Sequence, residues 1–183
     1  MANPAEQDTQ HALLVVLGLF AQKIGLISSL EALKLNQKTY EYSPQTKVIE
    51  FLVAILSGAK YLQEISLAAH PVDKDLAVAQ AWGQMGWADY SGVSRTLSGL
   101  SWAEVGALVA VLDQVGQPFI DRELTLLRKL GQIVQEDGDL TGIPVSNTSR
   151  TYPNVAYGHM DDEIRLGYQA GVTSLHSPTY GRL

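Results

Sequence analysis

The chain of 183 residues contains no cysteine, which excludes disulfides, thiolate zinc sites and cysteine nucleophiles. It has only four histidines, His11, His70, His159 and His176, and no two of them stand at metal-ligand spacing. Charged residues make up only 17% of the chain, which makes disorder a poor reading for most of it. Long apolar runs are missing too. Ala12 to Phe20 is too short to span a bilayer, and the residues before it carry Glu6 and Asp8 but no Lys or Arg, unlike a signal peptide. No phosphate-cradling glycine loop and no Ser-His-Asp ordering stands out. A cytoplasmic protein without membrane association is the expectation.

The remaining composition is that of a folded globular protein, with 46% hydrophobic residues and no low-complexity tract. Thirteen Lys and Arg stand against 19 Asp and Glu, a net charge of −6. Residues 1–130 and 131–183 each carry three more acidic than basic residues. A nucleic-acid partner would therefore have to be met by local basic patches, because the net field repels phosphate.

The texture changes near Leu130. Before it the periodicity predicts helices over Thr9–Lys23, ended by Gly25, then Leu26–Leu35 and Val48–Leu56. The last follows Ser43-Pro44 as N-cap and first helical position, and Gly58 suits its end. Shorter helices follow at Tyr61–Ala69 and after Asp73, a suitable N-cap. Ser101-Trp102-Ala103-Glu104 fits a capping box opening a long helix. In that helix Val105, Leu108, Val109, Leu112, Val115 and Phe119 make one apolar stripe, expected to be buried; Pro118 should kink or divide it, and Gly131 should end it. Trp82, Trp87 and Trp102 are expected in packing roles. Beyond Leu130, strands are expected at Gln132–Leu140 and Ile164–Leu175. An irregular loop over residues 142–162 separates them, Ser177-Pro178 makes a turn, and a third strand begins at Tyr180–Leu183. The fold class is α+β, a mainly helical domain over 1–130 followed over 131–183 by antiparallel strands. So few strands leave faces and edges open, and the strand domain is expected to be incomplete.

The densest chemical signal is Asp137-Gly138-Asp139-Leu140-Thr141-Gly142. Asp and Gly are ordinary turn formers, so a polar turn is the plain reading. A calcium loop opens this way but needs an acidic twelfth residue, and that position holds Thr148. A strand followed by Asp-x-Asp-x-Thr is also similar to haloacid-dehalogenase-like phosphatases, with Asp137 as nucleophile and Asp139 as acid/base. Such folds open with this strand, and only 41 residues follow Gly142 for their later motifs. A third possibility is a two-metal nuclease, in which strand-borne carboxylates hold magnesium ions that activate the attacking oxygen and stabilise the leaving one.

The stretch from Asp137 to Ser146, with Thr151-Tyr152-Pro153, Ala156-Tyr157-Gly158, Arg165-Leu166-Gly167-Tyr168-Gln169 and Ser177-Pro178-Thr179-Tyr180-Gly181-Arg182-Leu183, resembles bacterial insertion-sequence transposases of the DDE type. Ser91 to Leu97 is similar to part of their helical regions. The resemblance covers roughly Tyr42 to Leu183 and is most specific after Gln135. It implies a ribonuclease-H-like catalytic domain, of which this chain holds the first strands, and magnesium-dependent cutting and joining of transposon ends. Asp139, in Asp139-Leu140-Thr141, would be the first catalytic carboxylate and metal ligand, with Asp137 as second choice. The family's second Asp and its Glu lie in segments this chain does not have. Asp161, Asp162 and Glu163 are too near Asp139 in sequence to replace them and read as a solvated turn, so the chain is expected to be inactive by itself. DNA would be met by Arg95, Arg150 and Arg165. For Arg95 the plain alternative is an exposed helix start capped by Ser91, and either of the other two arginines could instead pair with the acidic loop. His159 reads as a solvated loop residue. The implied partners are transposon-end DNA and either a second copy of the chain or a full-length transposase. A non-enzymatic DNA-binding or transposase-associating protein is the alternative.

Overall fold

The computed structural model describes residues 9–38, 41–148, 152–160, 162–177 and 181–182. Its architecture is α+β, with helices in the first part of the chain and an antiparallel sheet in the second. Two compact units divide at Gln117/Pro118, inside the longest helix.

In the first unit, α1 (Ala12–Lys23) and α2 (Leu26–Glu31) meet at Gly25, whose φ of 78° lets the chain turn without steric cost. The second helix is shorter than its apolar pattern suggested. Ser43 and Pro44 start α3 (Pro44–Leu56) as predicted, the Ser43 hydroxyl accepting the Thr46 N–H at 3.0 Å. Gly58, at φ 84°, ends it. Helix α4 is reduced to Glu64–Leu67. Asp73 is not an N-cap: it lies in a 3-10 turn (Val72–Lys74), and Asp75 caps α5 (Leu76–Ala81) through the Val78 N–H at 3.1 Å. Asp75 stands two residues beyond Asp73, and the 3-10 turn that takes up Asp73 leaves Asp75 at the start of the helix. Similarly, α6 (Tyr90–Ser98) is capped by Asp89, which takes the Gly92 N–H at 2.6 Å, and Ser91 lies inside the helix.

The core gathers Leu14, Ile27, Leu30, Ile49, Val53, Val78, Trp82, Trp87 and Val111. Trp82 is its largest fully buried side chain, and its indole N–H donates to the Leu14 carbonyl at 2.9 Å. Gly18 lets α1 approach this ring: a Cβ there would stand 2.6 Å from Trp82 Cδ1 and 2.7 Å from the Ala81 carbonyl oxygen. A smaller cluster of Ala54, Ile65, Ala88 and Val93 lies beside α6.

Helix α7 runs from Trp102 to Lys129 without interruption at Pro118. Its capping box forms: the Glu104 carboxylate accepts the Ser101 N–H at 2.8 Å and the Ser101 hydroxyl at 2.7 Å. The same carboxylate accepts the Asn36 N–H at 2.6 Å. This anchor turns the face of Glu104, Leu108, Val111 and Val115 inward. Val105, Val109, Leu112 and Phe119, expected in the buried stripe, are exposed, as is Trp102 at 80%. Gly131, at φ 64°, closes the helix, with the Gln132 N–H returning to the Leu127 carbonyl at 3.0 Å.

The second unit contains the sheet. β1 (Glu136–Pro144) starts later and ends later than predicted and pairs antiparallel with β3 (Glu163–Ser177). Within the span expected as a loop, β2 (Ala156–Met160) forms a hairpin with β3. Its Gly158 and single buried side chain left little periodicity to read. β4 (Gly181–Arg182) pairs with β3 at His176 and Ser177, so Ser177 belongs to a strand. Gly167 faces both Pro144 and Ala156, and a Cβ there would run into the Ile143 carbonyl and Met160 Cε. Gly142 would place a Cβ 2.5 Å from Met160 Cγ. The buried Met160 thus packs over two glycines, folding the hairpin onto β1. The Ser177 hydroxyl donates to the buried Glu123 of α7 at 2.5 Å. No single helix among the described residues is long and apolar enough to cross a membrane.

Candidate functional site

Alternation along β1 puts Asp137, Asp139 and Thr141 on one face, opposite Ser174, Val172 and Ala170 of β3. Asp139 is exposed and lies within the strand; its Oδ1 accepts the N–H of its own neighbour Leu140 at 2.8 Å. Asp137 is half-buried, with Gln135 Nε2 3.4 Å from its Oδ1. Two carboxylates on one exposed face suit a single magnesium ion that keeps most of its water. They do not suit a two-metal pair. Among the described residues no three His, Asp or Glu side chains converge as a metal group. No catalytic step is therefore derived through magnesium.

Arg165 does not join Asp139. It occupies a β3 position of opposite parity to Val172, which directs it to the other face, and its guanidinium binds Glu163 at 2.7 and 2.8 Å. That pair accounts for Glu163, expected as part of a solvated turn and found at the start of β3. Asp162 does lie in an exposed turn. His159 is exposed and sits in β2, opposite Ile164, not in a loop. Arg150 and Asp161 lie outside the described residues.

Arg95 is on α6 in the first unit, exposed, with its Nη1 3.3 Å from the Ser91 hydroxyl. It lines a cleft of about 770 Å³, together with Lys38, Lys47 and Lys74. These four cations come from four separate segments, so no local motif announced them. Two acidic residues, Glu41 and Asp89, share the rim. Asp89 serves as the α6 cap; the Gly92 N–H, then the Ser91 hydroxyl, hold its carboxyl below the usual range, with Arg95 adding to the effect. Trp87 and Tyr42 supply aromatic wall, and Gln37 is fixed there by donating to the Thr96 carbonyl at 2.9 Å.

Behind the wall lies Glu50 of α3, fully buried. Its Oε2 accepts the N–H of the wall residue Ala88 at 2.9 Å, and Oε1 has no partner among the described residues. Burial pushes this carboxyl from an ordinary 4.5 up to about 8; Asp73 and Asp89 add to the rise, against the Ala88 N–H and Lys47. Glu50 is therefore mainly protonated at neutral pH. Its sequence signal was a single acid within the apolar run Val48 to Leu56.

No protein-family model, curated protein or solved structure matches the chain.

Proposed function

We propose that the chain is part of a DDE-type DNA transposase, with a helical region that contacts transposon-end DNA and a strand region that opens a ribonuclease-H-like domain. The observation that carries the reading is Asp139: an exposed carboxylate on the first strand of an antiparallel sheet, with Thr141 of the Asp139-Leu140-Thr141 signature on its face. In this reading Asp139 is a magnesium ligand and Asp137 the second choice. The described residues bring no third carboxylate to them, so the chain by itself is assigned DNA contact and not strand cutting. The proposal places the protein in the cytoplasm with its DNA, acting with a second copy or with a full-length transposase. The cations around Arg95 support DNA contact, which the alternative of a non-enzymatic protein that occupies transposon ends without cutting them shares.

The test uses the purified 183-residue chain with transposon-end and scrambled duplexes, followed by fluorescence anisotropy across a salt series. Binding is expected to be modest and to fall steeply with salt, as phosphate contacts release counterions. Arg95→Ala should lower the log–log salt slope by about one. Neither nicking nor joining is expected with magnesium or manganese. Absence of binding to both duplexes at low salt sinks the DNA reading, and cleavage that disappears in Asp139→Ala overturns the assignment of inactivity.

A further inference from the structure

The cleft in the first unit has the chemistry of a ligand site, independent of the acidic strand. Four of the chain's 13 Lys and Arg line it, although the chain as a whole carries a charge of −6. Only Lys74 is within ion-pair distance of an acid, 3.6 Å from Asp73, among the described residues of this unit. Lys38, Lys47 and Arg95 have no such partner among the described residues. Of the two acids on the rim, Asp89 is already engaged by the Gly92 N–H and the Ser91 hydroxyl. A concave wall of low dielectric concentrates the field of such cations and draws anions.

A second observation is independent of charge. Trp87 lines the cleft, is 5% exposed, and its indole Nε1 has no hydrogen-bond partner among the described residues. An indole N–H can only donate, and a buried donor without a partner costs about 1–3 kcal/mol. A ligand offering an acceptor would satisfy it. Tyr42 adds a second aromatic wall, packed over Gly86, where a Cβ would stand 3.0 Å from its hydroxyl. The volume of about 770 Å³ falls within the range of sites for small ligands, about 300–1,000 Å³.

We propose that this cleft binds a nucleotide unit, with Lys38, Lys47, Lys74 and Arg95 neutralising its phosphate and Trp87 donating to an acceptor on the ligand. The nucleotide is either one residue of a DNA strand or a free nucleotide. The proposal deepens the DNA reading and rests on it for the source of the phosphate, but not for the site.

The experiment is calorimetric titration of the full chain at low salt with deoxyadenosine monophosphate, deoxyadenosine and a transposon-end duplex. Lys47→Ala, Arg95→Ala and Trp87→Phe are compared with the wild type, and Arg128→Ala, an exposed arginine of the other unit, is the control. Circular dichroism establishes that each variant is folded. The monophosphate should bind at least about tenfold tighter than the nucleoside. Lys47→Ala and Arg95→Ala should each weaken it about fivefold to twentyfold, and Trp87→Phe about fivefold, while Arg128→Ala leaves it unchanged. Equal affinity for nucleoside and monophosphate overturns the site, as does monophosphate binding indifferent to both cation variants. If the monophosphate behaves as expected but the duplex fails to bind, the site stands and the DNA reading falls. If the duplex binds but is insensitive to Lys47→Ala and Arg95→Ala, the DNA reading stands and the cleft is not its contact.

Discussion

Glu50→Gln should change how the stability of the first unit depends on pH. In the folded chain the Glu50 carboxyl is raised from about 4.5 to about 8, mainly by burial. A group whose folded value is raised contributes stability that is fully present below its unfolded value and is lost as pH rises through the folded one. Stability should therefore decline from about pH 4.5 to about pH 8 and level off above. Each pH unit within that window is worth about 1.4 kcal/mol, so the limit is about 5 kcal/mol. Water entry and side-chain relaxation around a newly charged group reduce this to about 2–4 kcal/mol. Glutamine keeps the shape and an acceptor for the Ala88 N–H, but cannot ionise. The variant should match the wild type within about 1 kcal/mol at pH 5 and exceed it by about 2–4 kcal/mol at pH 9. Urea denaturation at pH 5, 7 and 9 measures both. Trp82, Trp87 and Trp102 all belong to the first unit, so tryptophan fluorescence reports on the unit that holds Glu50. Parallel pH profiles, or a variant less stable than the wild type at pH 9, would refute the reasoning.

Two glycine substitutions should have opposite signs in the same denaturation assay. Gly18→Ala forces a methyl against Trp82 and the Ala81 carbonyl and should cost about 1–3 kcal/mol, whereas Gly106→Ala meets no atom within 4 Å in the exposed part of α7 and should stabilise by about 0.5–1 kcal/mol. Gly142→Val should displace Met160 and loosen the β2–β3 hairpin, seen as faster amide exchange from Ala156 to Met160; unchanged exchange would show that this packing does not hold the hairpin. Asp139→Ala should alter stability by less than about 0.5 kcal/mol because the side chain is exposed. If Asp139 ligates metal, added manganese should broaden the amide signals of Asp137 to Thr141 in the wild type and spare them in that variant. Broadening indifferent to the substitution would remove Asp139 from the role.

The sequence alone determined those features whose causes are local. Ser43-Pro44 starts a helix because a hydroxyl and a fixed φ act within one turn, and Ser101 with Glu104 closes its capping box over the same distance. Glycines at 25, 58 and 131 end helices because they adopt positive φ without a Cβ penalty. The α+β class and the strand that carries Asp139 were legible from the change of period near Leu130. What only the tertiary structure decided depends on partners distant in sequence. Six apolar residues on α7 could define several overlapping faces; Asn36, joined to Glu104, selected the one that turns inward. β2 exists because β3 offers a pairing edge and Gly142 and Gly167 leave room for Met160, and none of this is written in Ala156 to Met160. Arg165 was separated from Asp139 by strand parity, which register fixes and composition does not. Lys38, Lys47, Lys74 and Arg95 converge only after two helices, a 3-10 turn and a loop have packed, so a chain whose two parts are both acidic still forms a basic cleft.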